Sequence, residues 1–217
     1  MSDDHRQLGV RVIEHPEAPK AAIPMCFTRE ALEALRNSVG VWLPETGAKG
    51  FGPPDRIGVD VIEFDHRGSS RGRSAVYAPD AAWGNQRMAY WLRRPENALR
   101  LWTMDCHSHP GRTGYPSAKA GSALGDLGYA EAVFEQNEIM QFFFIPILTG
   151  TGPDAAYVEL HPWMVCRDDP HTPLWAEVRI TEEQQFPERI LNPEWERSIA
   201  MTVNEPHAVP DETRGHE

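Results

Sequence analysis

Apolar residues recur at two periods along this chain. Helical spacing holds over Arg29 to Ser38, where Ala31, Leu32 and Leu35 share one side, Thr28 stands at the capping position and Gly40 stops the pattern. It returns over Asn85 to Arg94, with Met88, Tyr90, Trp91 and Leu92, ended by Pro95. It returns again over Asp126 to Asn137, where Leu127, Ala130, Val133 and Phe134 recur and Tyr129 falls one residue to the side. Strand-like segments lie between these helices. Ile57 to Phe64 alternates, Leu99 to Cys106 is an apolar stretch, and Gln141 to Leu148 and Ala155 to Val165 read as buried strands. A short strand is possible at Val10 to Ile13. Val41-Trp42-Leu43 is a brief apolar run that leads into Pro44-Glu45-Thr46-Gly47. The glycines and prolines of Gly47 to Pro54 predict a loop or a strongly bent strand. A basic, glycine-rich turn over His66 to Arg73 precedes a second hairpin strand at Ser74 to Tyr77, and Gly111 to Gly125 reads as a loop.

Helices and strands interleave with no Gly-rich phosphate loop after a strand, which predicts an α/β or α+β domain built on a mixed, strongly curved sheet flanked by helices. The main domain is expected over residues 25–166. Residues 1–24 form a polar, proline-bearing N-terminal extension. Residues 167–217, where proline and charge increase, form a C-terminal extension packing on the domain, with a short helix at Pro193 to Ala200 and a disordered tail.

Composition narrows the function classes. A chain of 217 residues holds one domain with a sizeable core. Its net charge of -11, from 32 acidic and 21 basic side chains, argues against nucleic-acid or anionic-membrane binding, which would need a basic face. Met1 to Gln7 is polar and is not followed by the apolar run of a secretory leader. Ile139 to Leu148 contains Gln141 and Pro146 and is too short to span a bilayer. Cys26, Cys106 and Cys166 are widely spaced and read as reduced, buried thiols, so the expected compartment is the cytoplasm.

The candidate chemistry centres on His107-Ser108-His109-Pro110. On an extended strand residues 107 and 109 point to one face, while Cys106 and Ser108 point to the other. Two imidazoles on one face can hold one metal ion together with an acid from elsewhere, and Asp126 follows soon after. With a water in the fourth place, that set describes a hydrolytic zinc site. Such a site needs a base near the open position. Glu45 is the candidate, and Glu63, on a strand, is its rival. The remaining histidines read as exposed or structural, with His161, before Pro162, held in reserve. No Gly-x-Ser-x-Gly elbow supports a serine triad.

In order, these motifs resemble the JAB/MPN metalloprotease family, also called JAMM, and particularly its prokaryotic, deubiquitinase-like branch. The family pattern begins with a Glu in a Glu-x-Gly-Gly stretch, here Glu45-Thr46-Gly47-Ala48. It continues with His-x-His-Pro and ends with a Ser and an Asp close together at a helix start. Pro116-Ser117-Ala118 and Gly125-Asp126-Leu127-Gly128-Tyr129-Ala130 resemble the two halves of that last piece, over a likeness that spans roughly residues 27–165. There are two departures. Ala48 replaces a glycine, and Ala118 to Gly125 separates the serine from the aspartate where the family has two residues. Either Lys119 to Leu124 is an insertion and Ser117 is the family serine, or Ser122 is, after a longer loop.

The resemblance implies a cytidine deaminase-like MPN/JAB fold. It implies one catalytic zinc on His107, His109 and Asp126, Glu45 as general base and then acid, and Ser117 as the donor to the tetrahedral oxyanion. The implied substrate is the C-terminal tail of ubiquitin or a ubiquitin-like protein, cut from lysine or from a precursor extension. The implied setting is a bacterial ubiquitin-like conjugation or antiviral operon. Two other readings stand beside this one. One is a catalytically silent MPN-type scaffold, which the long serine-to-aspartate loop favours. The other is a zinc peptidase acting on small or cell-wall peptides.

Overall fold

The structure, a computed structural model, describes residues 8–38, 45–65, 81–97, 99–109, 113–118, 125–138, 140–150 and 157–189. The run Val41 to Leu43, the turn His66 to Arg73, the strand expected at Ser74 to Tyr77, Pro110, the segment Lys119 to Leu124 with Ser122, the helix expected at Pro193 to Ala200 and the C-terminal tail lie outside the described residues.

Helix α1 (Arg29–Ser38) forms over the bounds its periodicity predicts. Thr28 Oγ1 accepts the N–H of Ala31 at 3.2 Å, satisfying one of the amides that a helix start leaves without a partner. Ala31, Leu32 and Leu35 are buried. Helix α2 (Ala81–Leu92) begins four residues before the expected start and ends two residues short of Arg94. Its Trp91 stacks on Phe51 with ring centroids 4.3 Å apart. Helix α3 (Gly125–Gln136) buries the predicted Leu127, Ala130, Val133 and Phe134.

The strands are β1 (Val10–Val12), β2 (Met25–Phe27), β3 (Gly47–Gly52), β4 (Val61–Asp65), β5 (Leu101–Ser108), β6 (Phe142–Phe144), β7 (Ile147–Thr149), β8 (Val158–His161), β9 (Trp163–Cys166), β10 (Asp169–Trp175) and β11 (Val178–Ile180). Nine of them make one mixed sheet, and β2 and β11 pair in parallel as a separate two-stranded sheet. Strand β5 is central. On one side it pairs antiparallel with β3, which pairs in turn with β4. On its other side lie β6 and β7, both parallel to it. The architecture is therefore mixed α/β with a mixed sheet, as the interleaved pattern predicts.

Several boundaries differ from the sequence reading. Gly47 to Gly52 is a strand, and its bend is a register shift between Gly50 and Phe51 against β5. Strand β5 runs on to Ser108, so His107 lies inside the ladder and not beyond it. The expected strand at Ile57 to Phe64 joins the sheet only from Val61. Its first half turns toward β2 instead, where Val59 N donates to Cys26 O and Thr28 N donates to Val59 O. Gln141 to Leu148 and Ala155 to Val165 each break into two short strands at Pro146 and Pro162, residues with no N–H to give a ladder. The two breaks adjoin across the ladder: Ile147 pairs with His161, and Phe144 with Met164. Strands β10 and β11 gave no sequence signal. β10 is exposed or half-buried along its length, carries Pro170 and Pro173, and shifts register between Asp169 and Leu174.

The sheet separates two apolar cores. Ala48, Met104, Cys106, Phe144, Leu148, Leu160 and Met164 face α1 and β2. Phe143, Ile145, Ile147, Trp163 and Val165 face α3. Alternation along β5 thus sends Met104 and Cys106 to the first core, and Thr103, Asp105 and His107 to the α3 side. Cys26 and Cys106 are buried free thiols and Cys166 is half-buried. Among the described residues no helix is long and apolar enough to cross a membrane.

The packing of α1 gives a ranked expectation. Leu32→Ala costs about 2–5 kcal/mol by emptying a closed site, whereas Thr28→Ala costs about 1 kcal/mol by uncapping the same helix. Urea unfolding of the two variants checks the order.

Candidate metal centre

His107 reaches the α3 face as the penultimate residue of β5, with 8 % of its surface exposed. Past the strand, the N–H of His109 donates to Leu148 O at 2.8 Å, which keeps the chain beside β7 for one more residue. The two imidazoles meet with Nε2 atoms 2.9 Å apart, so both rings lie on the face that strand alternation predicts. Cys106 is buried in the opposite core and takes no part. Ser108 is fully buried, and its Oγ accepts the N–H of Thr46 at 3.0 Å while Ser108 N donates to Thr46 O at 2.9 Å. It latches β5 to the residue after Glu45.

Asp126 completes the group from the first turn of α3. Its Oδ1 lies 3.0 Å from His107 Nε2 and its Oδ2 lies 3.6 Å from His109 Nε2. One ligand atom from each of His107, His109 and Asp126 falls within 4.8 Å of the others, so the group could hold a metal ion. Tetrahedral ligands at 2.0–2.2 Å from an ion stand about 3.3–3.6 Å from one another, so only small outward adjustments separate this arrangement from a loaded one. His109 is preset for the task. Its Nδ1 lies 2.9 Å from Thr113 O, which can only accept, so the proton sits on Nδ1 and Nε2 presents a lone pair.

Ser117 lies against Asp126 despite the eight intervening residues. Its N–H and Oγ donate to Asp126 Oδ2 at 2.6 and 2.9 Å, and Asp126 N donates back to Ser117 Oγ at 3.1 Å. Leu127 N donates to Ser117 O. Ser117 therefore caps α3 from outside the helix. Gly125 is what lets the two residues meet: its φ is +64°, and a Cβ there would stand 2.6 Å from Ala118 O and 2.7 Å from Ser117 O.

Glu45 precedes β3, whose first residue, Gly47, pairs with His107. It is 9 % exposed, and its charge acts on the His107 imidazole. Glu63, the rival base, pairs with Arg87 at 3.3 Å on the far side of β3.

The charges around the three side chains favour the protonated form of His107 and the ionised form of Asp126. Burial works most strongly against charge on His107, yet the hydrogen bond and charge of Asp126, with Asp105 and Glu45, outweigh it and raise its pKa above 6.5. His109 is lowered by burial and by its charged neighbour His107. Asp126 is opposed by burial, but its bonds to His107 and to Ser117 N, with the two imidazoles, bring it down to about 2.

A second histidine pair backs the loop that carries Ser117, and the sequence gave only a reserve on His161 to find it. His15 Nε2 and His161 Nδ1 lie 2.9 Å apart, and His161 Nε2 lies 2.9 Å from Thr149 Oγ1. Tyr115 packs on His15 and Trp163, and Trp163 Nε1 donates to Gly114 O. Burial, together with His15 and His109, lowers His161 to about 4. Sequence reasoning also missed Thr113, Asp105, Lys49 and Tyr129. For Asp105 a signal existed, since it stands two residues before His107 and shares its face.

No family model and no curated protein matches the chain. Among solved structures it is similar to protein DSY2949 from Desulfitobacterium hafniense, a solution structure, with 14 % identity, a TM-score of 0.47, and coverage of 73 % of this chain and 93 % of that one. At that level the likeness carries no argument about function.

Two expectations follow. Asp126 favours the protonated form of His107, which a bound ion must displace, so zinc affinity should rise with pH; a pH-independent affinity, measured by competition with a chelator, would contradict that competition. The unfolded chain protonates His161 near pH 6.5 and the folded protein only near 4. That group's stabilising contribution is therefore complete above 6.5 and is lost as pH falls through that window. In chelator-treated protein, the melting temperature should fall more steeply over this range for wild type than for His161→Gln.

Proposed function

We propose that this protein is a zinc-dependent isopeptidase or peptidase of the JAB/MPN (JAMM) kind, acting behind the C-terminus of ubiquitin or a ubiquitin-like protein. One observation carries the reading. His107, His109 and Asp126 converge on one point, and the two other residues of the ordered motif set sit beside it, Glu45 buried and Ser117 at the exposed rim. The finer fold assignment, a cytidine deaminase-like MPN domain, belongs to the same proposal. Its support is the central β5 with antiparallel β3 on one side and α3 laid over the face that bears the histidines.

The donor set, two imidazole nitrogens and a carboxylate, suits zinc, which when bound there supplies Lewis acidity to water and to the scissile carbonyl. The chain's own residues do the rest. His109 is oriented by Thr113 O and His107 by Asp126, so their Nε2 atoms are aimed before anything binds. The Glu45 carboxylate takes a proton from the attacking water and returns it to the leaving amine nitrogen. Its low exposure keeps bulk water from competing for that proton. Ser117 Oγ, now donating to Asp126, turns to the oxygen of the tetrahedral species as negative charge develops there.

Substrate presentation follows from the sheet. Among the described residues β4 pairs only with β3, and its last residue, Asp65, shares register with Gly47 and so with His107. An extended tail added along β4 would run toward the metal ligands by main-chain hydrogen bonds. A cytoplasmic, bacterial conjugation or antiviral setting is part of this proposal, and the acidic chain favours a protein partner over nucleic acid.

The test is a panel of ubiquitin-like proteins carrying C-terminal extensions, incubated with zinc-loaded wild type, with chelated protein and with two variants. Release of the extension should require zinc and should vanish in Glu45→Ala while zinc stays bound. In Ser117→Ala it should fall by about 10²–10³-fold. Undiminished turnover in Glu45→Ala would remove Glu45 as the base. No stoichiometric zinc in the purified protein, with no cleavage of any panel member, would favour the scaffold reading.

A further inference from the structure

Helix α3 and strand β5 are tied at two points. The first is the ligand group itself, Asp126 against His107. The second lies one helical turn and two strand residues away, where Tyr129 OH donates to Asp105 Oδ2 at 2.8 Å. The same oxygen accepts Lys49 Nζ at 2.7 Å. Lys49 is the register partner of Asp105 on β3, and its ammonium stands 4.5 Å from the Trp102 ring centroid. Both ends of the ion pair are nearly buried, with side chains 13 % and 7 % exposed.

Such a pair is a poor source of stability, because removing two charges from water offsets most of their attraction. Its geometry is informative instead. Residues three apart on a helix and two apart on a strand both recur on one face, so Asp126 with Tyr129 and His107 with Asp105 make two parallel rungs. A hydroxyl-to-carboxylate bond tolerates little change in length. It therefore sets how far along β5 the helix sits, and that distance fixes where Asp126 stands relative to both imidazoles.

We propose that Asp105, clamped by Lys49 and Tyr129, is a positioning residue for the metal centre: it holds α3 at the height on β5 that lets Asp126 share an ion with His107 and His109. The inference rests on the reading that these three residues bind a metal. Lys49 neutralises the Asp105 charge and aims the carboxylate, and Tyr129 transmits the position to the helix.

The 217-residue wild-type chain, Tyr129→Phe, Asp105→Asn and the surface control Tyr90→Phe are stripped with chelator. Zinc affinity is then measured by competition with a chromophoric chelator, and the visible spectrum of the cobalt-loaded protein is recorded. Tyr129→Phe and Asp105→Asn should bind zinc about 10–100-fold more weakly and show altered cobalt bands, while Tyr90→Phe matches wild type. Tyr129→Phe removes one hydroxyl and keeps the ring, so it decides the matter if Asp105→Asn does not fold. Wild-type affinity with an unchanged cobalt spectrum in Tyr129→Phe overturns this proposal and leaves the metal reading standing. Failure of wild type to take up either metal overturns both.

Discussion

The strand Leu101–Ser108 has to satisfy two unlike environments at once, and the rest of the molecule is arranged around that constraint. Met104 and Cys106 point into a closed apolar core, while Asp105 and His107 point to the face under α3. A slip of one residue would exchange the two sets, burying a carboxylate and an imidazole among Phe144, Leu148 and Met164. Burying charge without compensation costs several kcal/mol, so the hydrophobic side of β5 specifies the register of its polar side. The chemistry of the centre is thereby fixed by residues that never touch it.

The antiparallel neighbour β3 obeys the same logic in mirror image. Ala48 lies in the apolar core beside Cys106, and Lys49 stands on the polar face beside Asp105. Ser108 and Thr46 close the end of this pair with two hydrogen bonds, which leaves Glu45 next to His107. The N-terminal segment enters from the other side. His15 stacks near Trp163 and bonds to His161, and so supports the loop running from Thr113 to Ser117. Elements far apart in the described chain thus converge on one small region.

Much of this was legible in the sequence, for identifiable reasons. Thr28 with Ala31, Leu32 and Leu35 announced α1, because capping and 3.6-residue spacing are local. The pairing of His107 with His109 was legible because strand alternation is local too. Asp126 and Ser117 became a pair only as members of an ordered set, since nothing local says that a side chain nine residues beyond a serine will fold back on it. The Asp105, Lys49 and Tyr129 cluster was not legible. Each member is an ordinary residue in its own segment, and only the register of β3 on β5 and the placement of α3 bring them together. Strand β10 escaped because a partly exposed strand interrupted by prolines has the composition of a loop. The breaks in β6/β7 and β8/β9 show the reverse error: each run reads as one strand, although Pro146 and Pro162 lack the amide a ladder needs.

The reciprocal bonds between Ser117 and Asp126, with the left-handed Gly125, have one more consequence. They form a neck that holds Ala118 and Gly125 together whatever chain is threaded between them. Each doubling of a loop's length adds only about 0.6 kcal/mol of closure entropy. Sequence length at this point is therefore nearly decoupled from the geometry beneath it. Chain added between Ala118 and Gly125 would leave the bonds between Ser117 and Asp126 in place.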